Sequence, residues 1–133
     1  MGIKVILLDT HVVLWMSHES ERLSRTARET ISRARETSGI AVATFSLWEI
    51  AWLAQNRRIA VSGTVESFVR DAVSRVVLKP MTPEITSLAV RLPASYPKDP
   101  ADRVIAATAI IEGIPLLTSD ERIRNSGVVQ TIW

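Results

Sequence analysis

Five acidic residues, Asp9, Glu49, Asp99, Asp102 and Asp120, fall where the chain changes direction. Asp9 closes a short apolar run, Lys4 to Leu8, and Asp120 closes another, Leu116 to Thr118 followed by Ser119. A carboxylate directly after a buried strand is costly to desolvate unless something pairs with it. Each acid also has a plain structural explanation. Asp9 can serve as a turn residue or cap the next helix, and Asp120 can cap a short helix from Glu121 to Asn125. Ser46-Leu47-Trp48-Glu49 has the S-x-x-E form of a capping box. Asp99 before Pro100 reads as an N-cap followed by proline in the first helical position, and Asp102 then favours the helix dipole from the third. Those explanations leave the set unexplained. If the acids meet in one crevice, their repulsion makes it expensive unless a cation sits there.

The chemistry open to such a set is narrow. There is no cysteine, and the two histidines, His11 and His18, both near the first helix, read as surface or turn residues. A donor set made only of carboxylates selects Mg²⁺ or Mn²⁺ over zinc. Such an ion lowers the pKa of a bound water and neutralises charge developing on phosphate, which suits phosphodiester hydrolysis. No Ser-His-Asp arrangement competes, and five glycines leave none for a phosphate-cradling loop. Of 16 basic residues 13 are arginine, and setting five acids aside turns the net charge of +2 into +7 over the remaining surface. That balance suits an anionic polymer, with an ordinary solvated surface as the alternative.

The elements that must position these acids alternate. Apolar runs at Lys4 to Leu8, Ile40 to Ala43, Val76 to Lys79, Leu116 to Thr118 and Val128 to Ile132 are expected strands, the last at an edge. Helices are expected from Val12, from Arg25 to Glu36 behind Ser24, and from the Ser46 motif to about Asn56. Further ones run from Val65 to Ser74 behind Thr64, from Thr82-Pro83 to Leu92, and from Asp99-Pro100 through Glu112 to Gly113. This alternation predicts an α/β fold with a parallel sheet of four to five strands and helices on both faces. In such sheets the functional crevice lies beyond the carboxyl ends of the strands, where Asp9 and Asp120 fall.

With 133 residues, 47% apolar and 23% charged, the chain is expected to form a single domain, 1–133. No signal peptide or myristoylation motif is evident, and the near-apolar Val104 to Ile111 is far below a membrane span, so a soluble cytoplasmic protein is expected.

Four blocks together resemble the PIN-domain ribonucleases of the VapC toxin type: Leu8-Asp9-Thr10-His11-Val12-Val13-Leu14-Trp15; Ser46-Leu47-Trp48-Glu49-Ile50-Ala51; Asp99-Pro100-Ala101-Asp102-Arg103 with Ile105 to Ala109; and Leu117-Thr118-Ser119-Asp120. The resemblance spans nearly the whole chain. It implies a three-layer α/β/α sandwich and a Mg²⁺- or Mn²⁺-dependent endoribonuclease, the toxin of a toxin–antitoxin pair. It further implies a homodimer inhibited by a small antitoxin that inserts into the active-site groove. By position, Asp9, Glu49, Asp102 and Asp120 match the family's acidic quartet. Asp99 belongs to a D-P-x-D-R variant of the motif, and Thr118, or Ser119 beside it, matches a hydroxyl position near the metal.

On this reading Asp9, Asp102 and Asp120 hold one or two ions, with Glu49 a direct or water-mediated ligand. Metal-activated water then leaves 5′-phosphate and 3′-hydroxyl ends on a single-stranded RNA substrate. Lys98, Arg103 and Arg122 are the candidate phosphate contacts, with surface salt bridging as the alternative. Trp48 and Trp52, one helical turn apart, are either core or a contact surface for a dimer or antitoxin. Two rival functions remain. A haloacid-dehalogenase-type phosphotransferase wants a second acid at position 11, where this chain has histidine. A catalytically silent PIN-like RNA-binding or assembly module has no need of the acidic set.

Overall fold

The computed structural model describes residues 5–37 and 39–133. Five strands form one parallel sheet in the order β3-β2-β1-β4-β5: β1 Ile6–Leu8, β2 Ile40–Ala43, β3 Val77–Lys79, β4 Leu116–Leu117 and β5 Thr131–Ile132. Lys4, the expected first residue of β1, lies outside the described residues. Leu8 pairs in register with Val42 on one side and Leu117 on the other. After β3 the chain crosses back to the far side of β1, so the strand order reverses between β1 and β4. Ligand crevices of open α/β sheets form beyond the strand ends at such a reversal.

Side-chain alternation along the strands assigns the two faces. Ile6, Leu8, Ile40, Val42 and Leu117 point into one core, shared with α1 (Thr10–His18), α2 (Arg25–Glu36), α3 (Phe45–Gln55) and α4 (Val65–Ala72). Leu7, Ala41, Ala43 and Leu116 point the other way, against α6 (Pro100–Glu112) and α7 (Glu121–Arg124). Central strands buried on both sides have to be apolar throughout, which β1 and β2 are. Helix α5 (Pro83–Arg91) packs outside α6, where Ile85 and Ala89 meet Val104 and Ala107. The small residues Ala101, Ala106, Ala107 and Ala109 let α6 be buried on both sides at once.

Local caps fix most of the helix starts. The hydroxyls of Ser24, Thr64 and Thr82 accept from the backbone N–H of Ala27, Ser67 and Ile85, respectively. Helix α6 starts at Pro100 behind Asp99 and stops at Gly113, whose φ of 67° is the left-handed C-terminal geometry that glycine adopts freely. The first helix begins earlier than expected, at Thr10, because Asp9 itself caps it.

The capping box expected at Ser46 is not formed. Helix α3 opens at Phe45 behind Thr44, whose backbone is already helical and whose side chain makes no capping bond. Ser46 is fully buried inside the first turn, and Glu49 is engaged elsewhere. The local explanation for Glu49 therefore falls away.

Candidate active site

Four elements bring the acids together. Asp9 leaves the carboxyl end of β1 and Asp120 follows β4, while Glu49 comes from the second turn of α3 and Asp102 from the first turn of α6. All four line one cavity of 390 Å³, with Asp99, Ser119 and Arg122 also on its walls. Thr10, His11 and Trp15 complete the lining, and all three come from α1.

Asp9 is the floor. It is 9% exposed, and both its oxygens are occupied. The Thr10 N–H donates to Oδ1 at 2.8 Å and the Thr118 hydroxyl to Oδ2 at 2.7 Å. Thr118 is itself fully buried, and its oxygen accepts from the Asp120 N–H at 3.1 Å. One hydroxyl thus ties the ends of β1 and β4 together and orients both aspartates. Ser119 lines the cavity beside it.

Glu49 is held by α1. The Thr10 hydroxyl donates to Glu49 Oε1, and the same Thr10 oxygen lies 2.9 Å from Ser46 Oγ. A hydroxyl has one proton, so the chain runs from Ser46 through Thr10 to Glu49. Sequence reasoning singled out neither Thr10 nor Ser46 as a site residue. The S-x-x-E spacing carries the signal, since it puts Ser46 and Glu49 on one helix face, but the same spacing also fits a local cap.

Asp99 and Asp102 divide their labour. Asp99 Oδ1 accepts from the Ala101 N–H at 2.8 Å and lies 3.4 Å from the Asp102 nitrogen, so it is the N-cap of α6 at the cavity rim. Among the described residues, the Asp102 side chain makes no capping bond. Asp120 caps α7 through the Arg122 and Ile123 N–H groups, and its Oδ2 pairs with the Arg122 guanidinium at 3.2 Å.

Electrostatics separate Asp120 from the rest. Burial raises the Asp9 carboxyl, with the bonds from Thr118 and Thr10 pulling back. Burial also raises Glu49, against the Thr10 bond and with the Asp9 and Asp99 charges. Asp102 is pushed up to about 7, first by burial and then by the charges of Asp9, Asp99, Glu49 and Asp120. For Asp120 burial works upward too, but the hydrogen bonds and charge of Arg122 outweigh it and its carboxyl is lowered. Among the described residues, Asp9, Glu49 and Asp102 take part in no ion pair.

Three desolvated, mutually repelling carboxylates without an ion-pair partner among the described residues, beside a fourth paired to Arg122, fit a hard divalent ion by donor type and by charge. Among the described residues, no three acidic or histidine side chains close on a single point, so the donors line an open cleft rather than a finished cage.

The other expected residues sort clearly. Arg122 is exposed at the cleft mouth, while Lys98 is exposed but outside its lining. Arg103 corrects the expectation of a phosphate contact. Its guanidinium donates to the backbone carbonyls of Ala89 at 3.0 Å, Pro97 at 3.2 Å, Tyr96 at 3.5 Å and also Leu92. It stitches the end of α5 and the following loop to α6, with four of its five N–H donors engaged there. Trp48 and Trp52 are 59% and 41% exposed, so they are surface and not core. His11 and His18 are exposed on α1 as expected, but His11 borders the cleft.

Known proteins share this sequence pattern and this fold. The model of the PIN domain family matches residues 6–128. The chain is 44% identical over 120 residues to Ribonuclease VapC22 of Mycobacterium tuberculosis, covering 90% of each chain. Its fold superposes on VapBC2 from Rickettsia felis, solved bound to a DNA fragment from their promoter, with a TM-score of 0.74, 14% identity and 96% and 97% coverage. It also superposes on VapBC-5 from Mycobacterium tuberculosis, a member of the VapBC family of toxin-antitoxin systems, with a TM-score of 0.60, 18% identity and 96% and 97% coverage. The family model over residues 6–128 and the 44% identical relative, on a chain with this parallel sheet and reversal point, show that the chain belongs to the PIN domain family.

Proposed function

We propose that this chain is a metal-dependent endoribonuclease and the toxin of a toxin–antitoxin pair, cutting single-stranded RNA. The observation that carries the reading is the unpaired carboxylate set Asp9, Glu49 and Asp102 at the sheet's reversal point, in a chain 44% identical to a named ribonuclease. The small antitoxin partner is supported by the toxin-antitoxin membership of a structural relative.

The residues for a Mg²⁺ or Mn²⁺ ion are Asp9, Asp102 and Asp120, with Glu49 beside them. When bound, the ion supplies charge neutralisation at the phosphodiester and acidifies water. The chain's own groups do the positioning. Thr118 fixes Asp9 and the Asp120 backbone in one orientation, and Thr10 fixes Glu49 through Oε1. Glu49 Oε2 is left to hold the attacking water and take its proton. Arg122, exposed at the mouth, reaches for a phosphate of the strand, and Lys98 serves one further along. The route uses no 2′-hydroxyl, so the products carry 5′-phosphate and 3′-hydroxyl ends.

Incubation of single-stranded RNA with the protein in Mn²⁺ and in EDTA, beside an Asp9→Asn variant, tests the reading. Cleavage is expected in Mn²⁺ alone and lost in the variant. Cleavage that survives EDTA, or 2′,3′-cyclic phosphate ends, overturns it. Metal-independent binding of RNA without any cutting supports the silent-module alternative instead.

A further inference from the structure

Trp48 and Trp52 lie one turn apart on α3, so their indoles share a face beside the carboxylate cleft. Phe45 backs Trp48, with ring centroids 6.1 Å apart at 58°, and the Arg58 guanidinium lies 5.6 Å from the Trp52 ring. The two indoles wall a second cavity of 370 Å³, together with His11, Glu49, Leu53 and Asp99. His11, Glu49 and Asp99 also wall the carboxylate cleft, so the two cavities adjoin. Single exposed apolar side chains need no explanation. Two large, buttressed aromatic faces adjoining an acidic cleft do.

We propose that Trp48 and Trp52 form a stacking platform for an unpaired nucleobase of the substrate strand, next to the phosphate bound in the cleft. The inference rests on the RNA-cleavage reading of that cleft. Charge selects the occupant. Glu49 and Asp99 repel a phosphate from this cavity but tolerate a neutral planar base. At the Trp52 ring stands Arg58, exposed and, among the described residues, in no ion pair. A single strand alternates phosphate, base and phosphate. This surface sets the carboxylate cleft beside an aromatic wall, with the Arg58 charge at Trp52. An apolar peptide segment on the same face gives Arg58 nothing to pair with. A duplex hides its base faces, so the platform also favours single strands.

Removing an aromatic partner typically lowers affinity for a stacked base by about fivefold to a hundredfold. The test measures fluorescence anisotropy of labelled octa-adenylate and of an octamer of abasic ribose phosphates, with Ca²⁺ as the divalent ion. The wild-type chain binds octa-adenylate more tightly than the abasic strand. Trp48→Leu with Trp52→Leu loses at least about tenfold in affinity for octa-adenylate and little for the abasic strand, whereas the paired tyrosine substitutions keep most of the binding. Circular dichroism checks that all variants fold.

Unchanged octa-adenylate binding by the leucine variant overturns the platform. Equal losses on both strands also overturn it, because the effect is then not on the base. So does unchanged RNA binding with a shift from oligomer to monomer in sedimentation, which makes this face a protein interface. Cleavage in Mn²⁺ is run in parallel. RNA that is cut without any stacking effect overturns the platform alone, and stacking without cutting overturns the ribonuclease reading alone.

Discussion

Replacing Asp102 by asparagine measures how much the carboxylate cluster costs the fold. Ionised Asp102 meets burial first and then the charges of its neighbours, which hold its carboxyl at about 7 against an ordinary 3.8. At face value that interval is worth about 4 kcal/mol, at about 1.4 kcal/mol per pH unit. Asp102 is only half-buried, so solvent screening reduces the figure to about 1–2 kcal/mol. The dipole of α6 acts oppositely, favouring a carboxylate in its first turn by about 0.3–1 kcal/mol. The net gain for asparagine is about 1 kcal/mol in metal-free protein. A carboxyl raised in the folded state supports the fold fully below its unfolded value, and that support is lost as pH rises from 3.8 through about 7. Asp102→Asn is therefore the more stable protein in EDTA near pH 8, and the gap closes as pH falls toward 4. Urea denaturation followed by circular dichroism across this range reads the difference. On the proposed metal-binding role Mg²⁺ is expected to reverse the order, since a ligand held by folded wild type adds about 2.7 kcal/mol at a hundredfold excess over Kd. A variant less stable than wild type near pH 8 in EDTA, or a gap independent of pH, refutes the reasoning.

Arg103→Met removes the donors to four carbonyls and is expected to cost about 2–4 kcal/mol in urea denaturation, since hydrogen bonds to charged groups contribute about 1.5–3 kcal/mol each and do not add. Stability within about 0.5 kcal/mol of wild type, with RNA affinity lost instead, restores the phosphate-contact role. Thr118→Val deprives Asp9 of one donor, so the Asp9 carboxyl moves further up and the acid limb of the cleavage profile shifts to higher pH. Thr118→Ser keeps the bond and is expected to keep the wild-type profile. Thr10→Val frees Glu49 and orphans the buried Ser46 hydroxyl, costing about 1–3 kcal/mol and lowering kcat; an unchanged kcat removes Glu49's orientation from the account.

The sequence was most readable where local chemistry decides the outcome. Ser24 and Gly39 bracket α2, and Asp99-Pro100 and Gly113 bracket α6, because caps, proline and positive-φ glycine act within a turn of the residues they control. The acids were legible as a set because strand ends in a parallel sheet face one way. Reading failed where partners are remote. Ser46 and Glu49 fit a capping box by spacing, yet their partner is Thr10, 36 and 39 residues away. Arg103 follows Asp102 directly, but consecutive helical residues point about 100° apart. Its side chain accordingly leaves the cleft for carbonyls at the end of α5 and in the loop that follows. Trp48 and Trp52 belong to a helix with apolar residues on several sides, so spacing alone does not say which side meets solvent.

Asp102, rather than its neighbour three residues earlier, is the carboxylate on which cleavage is expected to depend. Single-turnover cleavage of one RNA in Mn²⁺ by wild type, Asp102→Asn and Asp99→Asn compares them directly. Asparagine caps a helix about as well as aspartate, so Asp99→Asn is expected within about threefold of wild type. Asp102→Asn, with the fold intact, is expected to lose at least about a hundredfold, the scale on which charge stabilisation at a reacting centre operates. Equal losses in the two variants, or an active Asp102→Asn, contradict the account.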